Sequence, residues 1–224
     1  MSVSSLSQRV TALSPSAHVD TFSRDNLPPL DQWPLLNVRG AFAYPDRLNA
    51  TVELLDNAVR DGFGESVAIV TRDLSGDWSE VTYRELQTQS DAIANVLQHE
   101  LGLVPGNRVL LRGYNGHRLA AAWLGTLKAG GVAVTTMPML RAGELRTVME
   151  KAKCQFALCD TRLAAELQTA AEAFGQLNRI CVWGAGTGAD DDLDALVDKH
   201  RYAFTAVLTA ADDVSLIAFT SGTT

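Results

Sequence analysis

The sequence predicts an α/β fold: a doubly wound, mostly parallel sheet flanked by helices, with a hairpin on its N-terminal side. Two observations predict it. From residue 66 onward, apolar runs of strand length alternate with longer stretches whose apolar residues recur at helical spacing, the pattern of successive βαβ units. One run, Asn107 to Arg112 (NRVLLR), is almost continuously apolar at its centre, as expected of a strand covered on both faces.

The elements follow in order. Residues 1–48 carry Leu27-Pro28-Pro29, Trp33-Pro34 and Tyr44-Pro45, and proline disfavours helix at and before its own position. This prelude is predicted to be extended, wrapping chain, and residues 49–224 to be the α/β portion. Asn49 is placed to cap a helix with Val52, Leu55 and Val59 on one face and Gly62 as its stop. Ser66 to Thr71 and Trp78 to Thr82 read as a hairpin turning at Asp73 to Asp77. Thr82-Tyr83-Arg84-Glu85 is a capping box, T-x-x-E, before a helix striped by Leu86, Ile93, Leu97 and Leu101. Gly102 and Pro105-Gly106 end that helix.

After Asn107 to Arg112, Asn115-Gly116 opens a helix with Leu119, Trp123 and Leu127 aligned, stopped by Gly130-Gly131. There follow a strand at Val132 to Thr136, a helix near Ala142 to Lys151 and a strand at Gln155 to Cys159. A helix from Thr161 to Phe174, closed by Gly175, leads to a strand at Arg179 to Trp183. A loop of Gly and Asp, a short helix from Asp192 to Lys199 and a last strand, Ser215 to Thr220 (SLIAFT), complete the pattern.

Composition narrows the function classes. The chain has 224 residues, 46% of them hydrophobic and 20% charged, an ordinary globular make-up with ample material for a core. A net charge of −7 with no run of Lys or Arg argues against nucleic acid and against a polybasic membrane anchor. No apolar stretch is long enough to span a bilayer, and Met1 to Ser14 lacks the pattern of a signal peptide. Cys154, Cys159 and Cys181 form no CxxC pair and read as buried, inert thiols. A reduced, cytoplasmic protein is expected.

Chemistry is sparse. His18, His99, His117 and His200 have no metal-ligand spacing, and no metal site is expected. Asp190, Asp191, Asp192 and Asp194 lack an EF-hand pattern and read as a solvated loop and helix start. Lys128 reads as a cation in the last turn of its helix, and Arg141 and Arg146 as a solvated face. The last strand runs directly into Thr220-Ser221-Gly222-Thr223-Thr224. Such a loop can turn backbone amides toward a phosphate, with hydroxyls as further donors. Taken alone, such a segment is more often a plain turn, and the Walker-A pattern is not matched.

Three blocks in one order add context: Val81-Thr82-Tyr83-Arg84-Glu85-Leu86, then Leu127-Lys128-Ala129-Gly130-Gly131-Val132-Ala133-Val134 with Met137-Pro138, then Phe219 to Thr224. They resemble the first three core motifs of the adenylate-forming (AMP-binding) superfamily, which includes acyl-CoA synthetases, peptide-synthetase adenylation domains and luciferases. The motifs' usual forms are LTYxEL, LKAGxxxVPL and YTSGTTGxPKG. The flanks, among them His18 to Phe22, Asp25 to Pro29, Tyr44 to Asn49 and Arg108 to Arg112, resemble 2-aminobenzoate-CoA and benzoate-CoA ligases.

The resemblance implies that an aromatic carboxylate is activated with ATP and Mg²⁺ and then transferred to coenzyme A. It implies that Thr220, Ser221, Gly222, Thr223 and Thr224 hold the ATP phosphates. It further implies an incomplete fold: the chain stops before the Gly, Pro and Lys that finish the loop and before the family's catalytic and metal-binding residues. No catalytic residue is therefore assigned, the substrate pocket is expected downstream, and the 224-residue chain is expected to be inactive and prone to self-association. Another acyl-CoA synthetase, a carrier-loading adenylation domain and a non-catalytic α/β interaction module stay open as alternatives.

Overall fold

The computed structural model describes residues 12–33, 45–72 and 76–220. The prelude at 1–11 and 34–44, the hairpin turn at 73–75, and Ser221, Gly222, Thr223 and Thr224 lie outside the described residues.

The alternation read from the sequence is the architecture. Strands β1 (Val67–Arg72) and β2 (Trp78–Thr82) form an antiparallel hairpin. Strands β3 (Arg108–Arg112), β4 (Val132–Thr136), β5 (Phe156–Asp160), β6 (Arg179–Trp183) and β7 (Leu216–Ala218) form one parallel sheet in the order β6-β5-β3-β4-β7. Its helices are α2 (Tyr83–Asn95), α3 (His117–Lys128), α4 (Ala142–Ala152), α5 (Ala164–Phe174) and α6 (Leu193–Lys199). Two helical turns, α1 (Phe22–Asp25) and a 3-10 turn (Leu30–Gln32), interrupt the prelude where extended chain was expected; Asp20 Oδ1 accepts from Phe22 N at the start of α1.

Both sheet faces are buried, as the continuous apolar strands require. Side chains alternate with the period of two that a strand imposes. Val109, Leu111, Phe156, Leu158, Cys181 and Trp183 face the core shared with α2, α3 and α6. Leu110, Ala157, Cys159 and Val182 face the core shared with α4 and α5. The three cysteines are buried and free, and burial pushes their thiols up to about 12, 12 and 11 for Cys154, Cys159 and Cys181.

Local signals act as expected. Thr82 Oγ1 accepts from Glu85 N at 3.2 Å while Glu85 Oε2 accepts from Thr82 N at 2.8 Å, closing the capping box of α2. Asn49 Oδ1 accepts from Thr51 N, starting a helical segment of wide π-type turns, Val52–Asp56 and Val59–Phe63, that fails at Gly62 with φ +97°. Another wide turn, Val96–Glu100, extends α2. Asp192 caps α6, accepting from the amides of Asp194 and Ala195.

The Leu127 to Gly131 block has a structural role in joining elements. The last carbonyls of α3 would be orphaned at the helix end. Asn49 Nδ2 meets Leu127 O (2.8 Å) and Val207 N meets Lys128 O (2.9 Å), while Thr51 Oγ1 donates to Leu124 O (2.7 Å) just before them. Lys128 lies in the last turn of α3, as read from the sequence, and is 1% exposed; its Nζ donates to Asp56 Oδ1 at 2.7 Å and Asp91 Oδ1 at 2.5 Å, joining three helical segments. The sequence did not show this burial, because both partners are distant along the chain.

The last strand is shorter than predicted. Only Leu216–Ala218 pairs, with Ala133 to Thr135 of β4, and Phe219 and Thr220 leave the ladder. As an edge with one neighbour, β7 keeps Leu216 and Ala218 exposed.

Candidate functional site

Ligands of open parallel sheets bind beyond the carboxyl ends of the strands, where neighbouring strands send their connections in opposite directions. Here that divergence lies between β3 and β5. The chain leaves β3 through α3 toward β4, and leaves β5 through α5 toward β6, on opposite sides and opposite faces.

A crevice of about 780 Å³ opens there. The hairpin walls one side with Thr71, Arg72 and Ser79, and the loop after β3 supplies Tyr114, Asn115 and His117. The ends of β5 and β6 supply Asp160, Arg162 and Trp183. Gly113, just before Tyr114, packs tightly on Trp183: a Cβ there would lie 2.5 Å from Cζ2 of that ring.

The charges in the crevice are ordered by one another. Arg162 donates to Asp160 through Nε (2.8 Å) and Nη2 (2.5 Å), and its guanidinium lies 4.5 Å from the centre of the Tyr114 ring. Burial opposes the Asp160 charge, but the Arg162 hydrogen bonds outweigh it and hold the carboxyl below its ordinary range. Arg118 Nη1 meets Asp194 Oδ2 at 2.9 Å, and the same oxygen accepts from Gly184 N. Burial, then the neighbouring Arg118, push the His117 imidazole down, so it is neutral at pH 7.

Beneath the neighbouring loop lies Arg112, 1% exposed. Its guanidinium donates to the carbonyls of Leu163, Met137, Pro138 and Leu140. The Met137-Pro138 step of the second sequence block is thereby fixed against the start of α5. A second cavity, of about 480 Å³, lies between β1, α3 and Thr135 at the end of β4. Leu119 and Trp123, expected to be core, are half-buried and line it as well as packing on the core.

Of the predicted loop, Thr220 is described: it is exposed, two residues beyond β7 and beside the end of β4. Ser221, Gly222, Thr223 and Thr224 lie outside the described residues. Among the described residues no group of three His, Cys, Asp or Glu could hold a metal ion. No helix among them is long and apolar enough to cross a membrane.

Sequence reasoning did not assign Tyr114, His117, Arg162 or Trp183 to a site. Tyr114, Arg162 and Trp183 each lie at or just beyond the carboxyl end of a different strand, and only the strand order brings them together. The available signal was positional: residues just after parallel strands collect at one edge.

The fold recurs in known proteins. The chain is 29% identical over 179 residues to the 3-hydroxybenzoate–CoA/4-hydroxybenzoate–CoA ligase of Thauera aromatica, covering 79% of this chain and 33% of that protein. It is 25% identical over 188 residues to benzoate–CoA ligase of the same organism, covering 84% and 34%. Among solved structures, an anthranilate CoA ligase in complex with anthranoyl-AMP superposes with a TM-score of 0.71 at 18% identity, covering 80% of this chain and 32% of that one. The chain thus spans about a third of the length of the relatives it matches. A model of the AMP-binding enzyme family matches residues 56–224, three-quarters of the chain and all of the parallel sheet, and the chain belongs to that family.

Proposed function

We propose that the chain is the N-terminal portion of an ATP-dependent acid–CoA ligase whose substrate is an aromatic carboxylate of the 2-aminobenzoate or benzoate type. The observation that carries this reading is the run of similarity to aryl–CoA ligases across four-fifths of the chain, together with the family match that reaches Thr224. Residues 1–48 then form a wrapping segment, and residues 49–224 the first part of the AMP-binding domain. The intact enzyme works in the cytoplasm on small molecules, without nucleic acid or membrane.

In this reading a carboxylate oxygen attacks the α-phosphorus of ATP, the bond to the β-phosphate oxygen breaks, and pyrophosphate leaves. The thiolate of coenzyme A then attacks the acyl carbon and AMP departs. Phosphoryl transfer of this kind depends mostly on positioning and charge stabilisation. The hydroxyls of Thr220, Ser221, Thr223 and Thr224 and the amide of Gly222 would hold the departing β- and γ-phosphates. The open position of Thr220 at the carboxyl edge suits that role. Mg²⁺ would neutralise phosphate charge, but the described residues offer no carboxylate cluster for it, so no step here is drawn through the ion. The acyl and coenzyme A pockets and the catalytic groups are assigned to the rest of the enzyme.

The test is acid-dependent ATP–pyrophosphate exchange by the full-length parent over 2-aminobenzoate, benzoate and fatty acids. Exchange with the aryl acids is expected. Exchange with fatty acids alone would reject the aryl assignment in favour of another acyl-CoA synthetase. The 224-residue chain is expected to turn over no ATP with any acid, and turnover would contradict the assignment of catalysis to the rest of the enzyme.

A further inference from the structure

The N-terminal segment makes a specific attachment that the reaction does not use. It crosses the amino ends of the sheet strands and reaches the turn that leads into β7. At one end, the amides of Val19 and Asp20 both donate to Pro105 O at 2.9 Å. Asp20 Oδ2 receives Arg108 Nη1 (2.6 Å), Asn107 Nδ2 (2.9 Å) and Gln155 Nε2 (2.8 Å). The approach is close enough that a Cβ on Gly106 would sit 2.1 Å from Asp20 O. At the other end, Asp213 accepts from Ser16 Oγ, Ala17 N, Arg24 Nη1 and Ala210 N. Asp213 lies three residues before Leu216, where β7 begins.

His18 sits between these two anchors, 7% exposed, and its Nδ1 has no hydrogen-bond partner among the described residues. The charged groups facing it are Asp213, Arg24, Asp20 and Arg108, two of each sign. Asp212 meets Arg24 at 3.7 Å, but it is a quarter exposed and water takes up part of its field. A neutral ring therefore fits a site whose charges already balance. A protonated ring adds one buried positive charge and an Nδ1–H with no acceptor among the described residues, and such an orphan donor destabilises the docked state.

We infer that residues 14–25 form an acid-released latch on the turn at 210–213, held shut by neutral His18. The direction follows from linkage. Burial, the largest influence, depresses the docked imidazole below its ordinary value despite the two nearby carboxylates. Between the ordinary value and the lower docked one, the undocked segment binds the proton and the docked one does not. Docking therefore weakens as pH falls below about 6.5. The neighbours do not interfere in that window, because Asp20 and Asp213 are both held below the ordinary carboxylate range. The latch also bears on the predicted phosphate loop, since β7 runs into Thr220; that consequence alone rests on the reading proposed above.

The experiment is hydrogen exchange on the 224-residue chain at pH 7.5 and 5.5, corrected for intrinsic rates, followed in the peptides 14–25 and 210–218. One histidine released from a fully neutral docked site allows a fall in protection of at most about tenfold over this range. A fall of several-fold in both peptides, absent from β3 and abolished in His18→Phe, is expected. An unchanged strap, or the same fall in His18→Phe, overturns the latch. A fall confined to 14–25 overturns its coupling to β7. Should His18→Phe fail to dock, the wild-type His18 Cε1–H titration decides: a midpoint matching that of strap release supports the latch, and a mismatch overturns it. No ATP chemistry enters these readouts, so their failure is distinct from failure of the ligase reading.

Discussion

Lys128 Nζ lies 2.5 Å from Asp91 Oδ1 at a site where the lysine is 1% exposed, so a charge from the second sequence block is buried between helices. Burial, the largest influence, holds the Asp91 carboxyl above its ordinary range even with the lysine beside it, and the nearby charge of Asp56 adds to this. The carboxylate charge is thus tolerated, whereas the ammonium is what compensates Asp56 and Asp91 together. Breaking a buried pair by removing one partner costs about 3–5 kcal/mol. Lys128→Met is expected to cost that much in urea unfolding, and Asp91→Asn clearly less. Equal losses would contradict this division of roles.

A close helix crossing makes a second prediction. A Cβ on Gly125 of α3 would stand 2.8 Å from Ile93 Cβ, Ile93 Cγ2 and Ser90 O of α2. Overpacking of this kind costs about 1–3 kcal/mol, and Gly125→Ala is expected to lower stability by that amount although it favours helix. A neutral or stabilising effect would show that the helices part freely.

The thiols offer a chemical check. Cys154, Cys159 and Cys181 are buried, with thiols pushed up to about 12, 12 and 11. The nucleophilic thiolate is then scarce at pH 8. Iodoacetamide is expected to label none of them in the native chain and all three in urea. Rapid native labelling at any one would contradict the packing of its strand.

The β7 edge predicts association. Leu216 is 42% exposed on a strand with one neighbour, and unpaired edges invite pairing with another chain. Light scattering of the 224-residue chain is expected to show a mass that rises with concentration, and Leu216→Lys to suppress the rise. A monomer at all concentrations would set this aside.

Much of the fold was legible because it is local. The T-x-x-E box at Thr82, the cap at Asn49, the stop at Gly175 and the alternation in Val109 to Leu111 depend on neighbours in sequence. The strand order was not legible. β5 returns to the far side of β3, a tertiary choice that no local spacing encodes, and the crevice made by Tyr114, Arg162 and Trp183 depends on it. Lys128 does lie in the last turn of its helix as read, but its burial was not legible, since its partners Asp56 and Asp91 stand 72 and 37 residues away. The Thr220 to Thr224 loop gained meaning from the order of three blocks, because small residues after a strand also make an ordinary turn.

The proposed aryl acid–CoA ligase reaction, through an adenylate, is tested by mass spectrometry of the full-length parent's products from ATP, coenzyme A and 2-aminobenzoate or benzoate. The aroyl-CoA thioester, with AMP and pyrophosphate in equal amounts, is expected. An aroyl-adenylate that never passes to coenzyme A, or ADP in place of AMP, would contradict it.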